Sequence, residues 1–174
     1  MQTESRYSGI SILNHWITAL LVIAMLTLGF VGGAAPNDDM KHYVLGVHVA
    51  LGFFVLLFVL WRVGLRLYAG FPPNLGASPL ERGMAYLVHR LILLTLTLQV
   101  LTGPLYLFTE GEGMDVFGWF TFYIPLESLS AIHEPMEEIH VVLGVYVLPV
   151  LLVLHLLGAA VHYLRDHRTS PADM

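Results

Sequence analysis

The 174-residue chain contains nine histidines and no cysteine. His15, His48, His89, His140, His155 and His162 lie within or at the edge of long apolar stretches. An ionisable side chain in such a place is costly and calls for a reason. Without cysteine the chain forms no disulfide, thiolate zinc site, iron–sulfur cluster or covalent c-type haem. Imidazole is therefore the metal ligand on offer. His15 follows Arg6 by nine residues and His155 precedes Arg165 by ten, which places both at one depth near one surface. His48 follows Lys41 by seven residues and His140 follows Glu134 by six, a matching pair of depths near the other surface. Two opposed imidazole pairs suit the axial coordination of two b-type haems. At 1.5 Å per residue, His140 and His155 stand about 22 Å apart along one helix, a spacing for two stacked haems rather than one shared metal.

The angular fit is less direct. Fifteen residues at 100° each leave His140 and His155 about 60° apart on a regular helix. Pro149 sits between them. It removes a backbone donor and clashes with the carbonyl four residues earlier. A widened turn there shifts the offset toward the roughly −40° of a fourteen-residue spacing. Other histidines remain open as substitutes. His89 reaches the inner depth on the third stretch and reads as a haem-edge or hydrogen-bonding group. His162 shares a helical face with His155 but lies near the water boundary. His133 precedes Pro135, which reads as the helix start and places His133 outside. His42 and His167 read as solvated. Zinc asks for three or four ligands around one point, which two separated pairs do not supply.

These histidines require helices that cross a membrane. Residues 7–37, 42–61, 91–109 and 139–164 carry no Asp, Glu, Lys or Arg. Each reaches the ~17–25 apolar residues that span a hydrocarbon core. With 56% hydrophobic and 12% charged residues, the helices lack the polar faces of a soluble bundle. The expected architecture is all-α: one integral-membrane four-helix domain over residues 1–174 enclosing two haems, with spans near 9–35, 42–68, 79–109 and 134–165. The first apolar run exceeds a signal peptide's h-region and carries His15-Trp16 at its start, so it reads as a retained span. Arg6, Arg62, Arg66, Arg82, Arg90, Arg165 and Arg168 belong to the two termini and the link between spans two and three. The other two links hold nine acidic residues and a single Lys41, a formal −8. Basic residues near span ends stay inside, so both termini are expected in the cytoplasm.

Pro36 ends the first span, Phe71-Pro72-Pro73-Asn74-Leu75-Gly76 forms the inner link, and Ser78-Pro79 reads as an N-cap followed by proline at the first helical position. The longest link, 111–129, holds Trp119, Phe120, Phe122 and Tyr123, an aromatic set suited to the membrane interface.

Several segments in this order resemble the prokaryotic cytochrome b561 family. They are His15-Trp16, His48-Val49-Ala50-Leu51-Gly52, Trp61-Arg62-Val63-Gly64-Leu65-Arg66, Leu101-Thr102-Gly103, His140, His155 and His162-Tyr163. The resemblance covers nearly the whole chain. It implies a four-helix bundle with two haems b, the inner held by His15 and His155 and the outer by His48 and His140. The depth argument gives the same pairs. The chain departs from the family in having Val141 where glutamate often follows the outer histidine, and in one extra residue before the next histidine.

Arg62, fourteen residues after His48, suits either a haem propionate or a positive-inside anchor. Gly52 and Gly103 suit either a flat porphyrin against the backbone or close helix packing. Trp16 and Trp61 suit interface anchors. The resemblance implies transmembrane electron transfer with the quinone pool, in an inner (plasma) membrane. Some relatives oxidise superoxide, and a periplasmic redox protein is a further possible partner. A second expectation is a haem-bearing anchor subunit of a larger dehydrogenase or hydrogenase. A third is a transporter without haem.

Overall fold

The computed structural model describes residues 9–70 and 78–168. Arg6, the link residues Phe71-Pro72-Pro73-Asn74-Leu75-Gly76, and the side chains of His167 and Arg168 lie outside that description. The elements are α1 (Gly9–Gly33), α2 (Asp38–Ala69), α3 (Pro79–Glu110), a hairpin of β1 (Met114–Val116) and β2 (Phe120–Phe122), α4 (His133–Val142) and α5 (Leu148–Arg168). The π-helical turn Leu143–Val147 makes α4 and α5 one continuous rod.

The four spans are α1, α2, α3 and the joined α4–α5 rod. Their most apolar 18-residue windows have mean hydropathies of 1.8 to 2.5, yet only 11% to 22% of each window is buried within the protein. Leu20, Leu156 and Leu157 are among the large side chains that face outward. Apolar surface on that scale along closed helical backbones is what a hydrocarbon solvent selects. The chain is a multi-pass membrane protein. Its interior is small: Val22, Val55, Val59, Leu96, Val100 and Leu148 form the buried core.

Local chemistry sets the helix ends. Asn37 caps α2 by accepting from the Met40 amide at 2.9 Å. That cap starts the helix at Asp38, four residues before the expected span. Ser78 and Glu81 form a capping box at α3, with Pro79 in the first turn as expected. Gly111 ends α3 in the left-handed region at φ 86°.

The aromatic link is more ordered than an interfacial loop requires. It folds into the hairpin, with Phe117 (φ 54°) and Gly118 (φ 71°) at its tip. The Trp119 amide closes the tip on the Val116 carbonyl at 3.0 Å, and positive φ at both central residues suits the twist of a tight hairpin. Phe120 and Phe122 pack on Phe53 of α2, at ring separations of 5.4 Å and 5.6 Å. Met114 and Val116 are buried. The hairpin therefore covers one end of the bundle, while Trp119 stays exposed.

Candidate functional site

The histidines meet in two pairs. His48 of α2 and His140 of α4 have ring centroids 6.2 Å apart and planes at 82°. His15 of α1 and His155 of α5 have centroids 6.3 Å apart and planes at 80°. A metal–nitrogen bond of about 2.0 Å, added to ~1.1 Å from ring nitrogen to centroid, puts two rings on one metal ~6.2 Å apart. Both pairs have that spacing. The buried aliphatic core includes Val22, between His15 and the outer end of α1, and Val55 and Val59, between His48 and Arg62 on α2.

One rod carries a member of each pair because of the π turn. The Leu148 amide bonds to the Leu143 carbonyl, five residues back. This turn absorbs one residue of the fifteen, which gives the fourteen-residue azimuth. Pro149 lies two residues beyond the turn and cannot donate to the Val145 carbonyl, so the regular ladder is interrupted there. The widened turn expected from Pro149 is thus present, centred a few residues earlier in the chain.

Gln99 of α3 grips His140 from two sides. The Gln99 backbone carbonyl lies 3.1 Å from His140 Nδ1. The Gln99 side-chain amide donates to the His140 carbonyl at 3.1 Å. Thr102 Oγ1 adds a 3.3 Å contact to the same Nδ1. With Nδ1 donating to a carbonyl, Nε2 is the free lone pair, the usual arrangement of a metal-binding histidine. Small residues make the grip possible. A Cβ on Gly144 would stand 2.8 Å from Gln99 Nε2, and a Cβ on Gly103 would stand 2.9 Å from His140 Cε1. Gly103 therefore makes room for the imidazole itself. Gly52 faces the ends of Met25 and Met114, at 3.4 Å and 3.7 Å from its notional Cβ.

His48, His140, Gly52 and Gly103 line a cleft of about 1040 Å³ whose walls are mostly apolar. Its lining reaches Asp38, Lys41, His42, Glu112, Asp115 and Glu137. A flat, apolar, iron-bearing macrocycle fits such a space between two facing imidazoles, with Met25, Leu96 and Leu148 as walls.

Beside the His15–His155 pair lies Asn14, which the sequence reading passed over. Asn14 is 1% exposed and donates from Nδ2 to the Phe58 carbonyl at 3.3 Å. That bond ties α1 to α2 one residue before His15. Its signal was an amide beside a histidine in a charge-free run, and Gln99 gave a weaker one as a lone amide in the third run. Arg62 lies within electrostatic reach of His15, His89 and His155. Arg165 pairs with Glu81, joining α5 to α3 at this end.

The remaining candidates separate from the pairs. His89 stands 5.1 Å from His155, shorter than the separation a shared metal requires, and reads as a neighbour of the inner pair. His162 is exposed and enters neither pair among the described residues. His133 opens α4 rather than preceding it, and packs on Tyr106. His42 is exposed and bonds to the Asp38 carbonyl at 2.7 Å. No cluster of three or more His, Cys, Asp or Glu arranged for a metal ion occurs among the described residues.

A four-span membrane bundle with a facing histidine pair at each end defines a class of intramembrane cytochrome b. The sequence profile of the prokaryotic cytochrome b561 family matches residues 6–174, and the chain belongs to that family. Among its relatives is cytochrome b561 homolog 2 of Escherichia coli (strain K12), 29% identical over 166 residues that cover 94% of this chain and 88% of the relative. The probable superoxide oxidase CybB of Yersinia pestis is 27% identical over 116 residues, 66% of this chain and 65% of that protein. Family membership implies haem b and membrane electron transfer.

Two substitutions test the packing of the site. Gly103→Ala places a carbon against the His140 ring and should cost about 1–3 kcal/mol, as overpacking does. Gly158→Ala, where nothing stands within 4 Å, should be neutral. Thermal unfolding in detergent compares the two, and equal midpoints would contradict the close approach. Deleting Val145 should be tolerated, because a regular helix then presents both histidines at the fourteen-residue azimuth. Inserting alanine after Val145 should turn His155 by about 100° and abolish its pairing with His15. Haem content of the purified variants reads both outcomes.

Proposed function

We propose that the protein carries electrons across a bacterial inner membrane between two bis-histidine haems b and exchanges them with the quinone pool. His48 and His140 hold the outer haem; His15 and His155 hold the inner one. The observation that carries this reading is the pair of ring separations, 6.2 Å and 6.3 Å, each matching two imidazoles on one metal. When bound, haem supplies reversible one-electron chemistry. The chain contributes ligation, orientation and a dry interval between the two centres. Gln99 fixes the azimuth and tautomer of His140, and Asn14 anchors the turn that carries His15. Arg62 is placed to balance the charge of an inner propionate.

The charge pattern supports an orientation with both termini in the cytoplasm and the hairpin outside. The outer cleft then opens among Asp38, Glu112, Asp115 and Glu137, against Lys41 and His42. A field of that sign slows an anion and leaves a neutral quinol unaffected. Superoxide oxidation, the activity in the name of the Yersinia pestis relative, is the second reading. The anchor-subunit reading has no feature of this chain in its favour beyond the fold.

Pyridine haemochrome analysis should find two haems per chain. His48→Ala and His140→Ala should each lose the outer haem, and His15→Ala and His155→Ala the inner one. Retention of two low-spin haems by His140→Ala would overturn the assignment. Stopped-flow reduction by a short-chain quinol should be rapid and insensitive to salt, while reduction by superoxide should be slow and accelerate as salt screens the acidic mouth. Superoxide reduction near the diffusion limit that slows with salt would contradict the quinol preference.

A further inference from the structure

A second polar site lies beside the outer cleft. His133, at the start of α4, packs at a tilt of 32° against the Tyr106 ring of α3 with centroids 4.6 Å apart. His133 Nδ1 lies 3.1 Å from the Tyr106 carbonyl and 3.5 Å from Thr109 Oγ1. With Nδ1 donating to that carbonyl, Nε2 is left as an acceptor, and it stands 4.0 Å from Glu110 Oε2. A cavity of about 550 Å³ opens here, lined by Thr109, Glu110, Ser130, Ala131, His133 and Glu134. Tyr106 lines the outer cleft, and its contact with His133 joins a wall of the polar cavity to a wall of that cleft. The metal pairs use none of these groups.

The geometry points to His133 and Glu110 as the proton-accepting pair for a quinol bound in this cavity at the outer end of the bundle. This deepens the quinone-pool reading and rests on it. Oxidising a quinol breaks two O–H bonds, and two electrons and two protons leave the ring, which departs as quinone. The electrons leave one at a time to the one-electron acceptor of the adjacent cleft, and a haem accepts no proton. A base must therefore stand at the hydroxyl. His133 Nε2 takes the proton and passes it through one water across the 4.0 Å gap to the Glu110 carboxylate, which is half exposed at 50%. Two such transfers complete the oxidation.

The surroundings select the ligand class. The charged groups facing the site are Glu110 of α3 and Glu134 of α4, with Glu137 and Glu112 near Tyr106. Four carboxylates and no Lys or Arg among these groups disfavour an anionic substrate. Hydroxyl donors suit a histidine nitrogen and a carboxylate. Ser130 of the short 3-10 turn Glu127–Ile132 adds a neutral polar wall.

The test uses the haem-loaded protein, a short-chain quinol and a redox-inert quinone analogue. His133→Asn keeps a donor for the Tyr106 carbonyl but removes the base. Its single-turnover reduction by quinol should fall roughly 100-fold, the lower bound for loss of a general base. The wild-type solvent deuterium isotope effect should also change in the variant. Binding of the analogue, read by equilibrium dialysis, should persist in Glu110→Gln while quinol reduction slows. Haem spectra and reduction by dithionite should match wild type in both variants, which separates a lost proton acceptor from a misfolded site. Identical quinol rates and solvent isotope effects in wild type and His133→Asn would overturn this site alone. Failure of any quinol to reduce the wild-type protein would overturn the quinone-pool reading, and this site with it.

Discussion

The structure depends on holding four imidazoles in two facing pairs, each with ring centroids just over 6 Å apart, at opposite ends of an apolar bundle. Each ring comes from a different helical segment, and two of them share one rod. Most distinctive local features answer that demand. The π turn corrects the azimuth between His140 and His155. Gly103 and Gly144 let α3 approach the rod closely enough for Gln99 to grip it. Asn14 ties α1 to α2 beside His15. None of these would be chosen for stability alone. A regular helix without the widened turn and a core without buried amides would each be simpler. A π turn and buried polar groups are features that functional sites impose.

The arrangement also explains how little of the protein is interior. Among the described residues, the central buried aliphatic cluster holds six side chains, with partly buried neighbours such as Leu26 and Leu152 packed against it. From that core toward His48 and His140, helix-to-helix packing gives way to a cleft of about 1040 Å³. In such a bundle the cofactor is itself the core, and helix association is expected to depend on its binding. The hairpin is consistent with this. It closes one end with Met114 and Val116 buried and aromatic rings packed on Phe53. Water exclusion at that end comes from a small sheet, and charged residues gather at the rim.

Much of this was legible in the sequence because membranes simplify it. Charge-free runs located four spans, and the capping signal at Ser78-Pro79 located one boundary closely. The histidine depths identified the pairs that the structure brings together, since depth is fixed by helical rise. Pro149 signalled the widened turn, although the turn formed over Leu143–Val147. What stayed hidden depends on rotation and on contacts between helices. Asn14 and Gln99 are single polar residues whose partners lie 44 and 41 positions away. The hairpin was hidden because its aromatic residues fit an interfacial loop equally well. Its two positive φ angles at Phe117 and Gly118 carry only one glycine as a signal. His133 read as lying outside because Pro135 resembled the helix start. The helix in fact opens at His133, with proline tolerated in its first turn.

The near-perpendicular ring planes offer the most direct measurement of the central claim. Interplanar angles of 80° and 82° would leave the two orbitals of an iron held between such rings almost equal in energy. Low-temperature electron paramagnetic resonance of the oxidised, haem-loaded protein should therefore show two strongly anisotropic low-spin signals of equal intensity. His140→Ala should remove one of them and His155→Ala the other. A single signal, a rhombic pattern typical of parallel rings, or a dominant high-spin signal in the unsubstituted protein would contradict the paired-imidazole account.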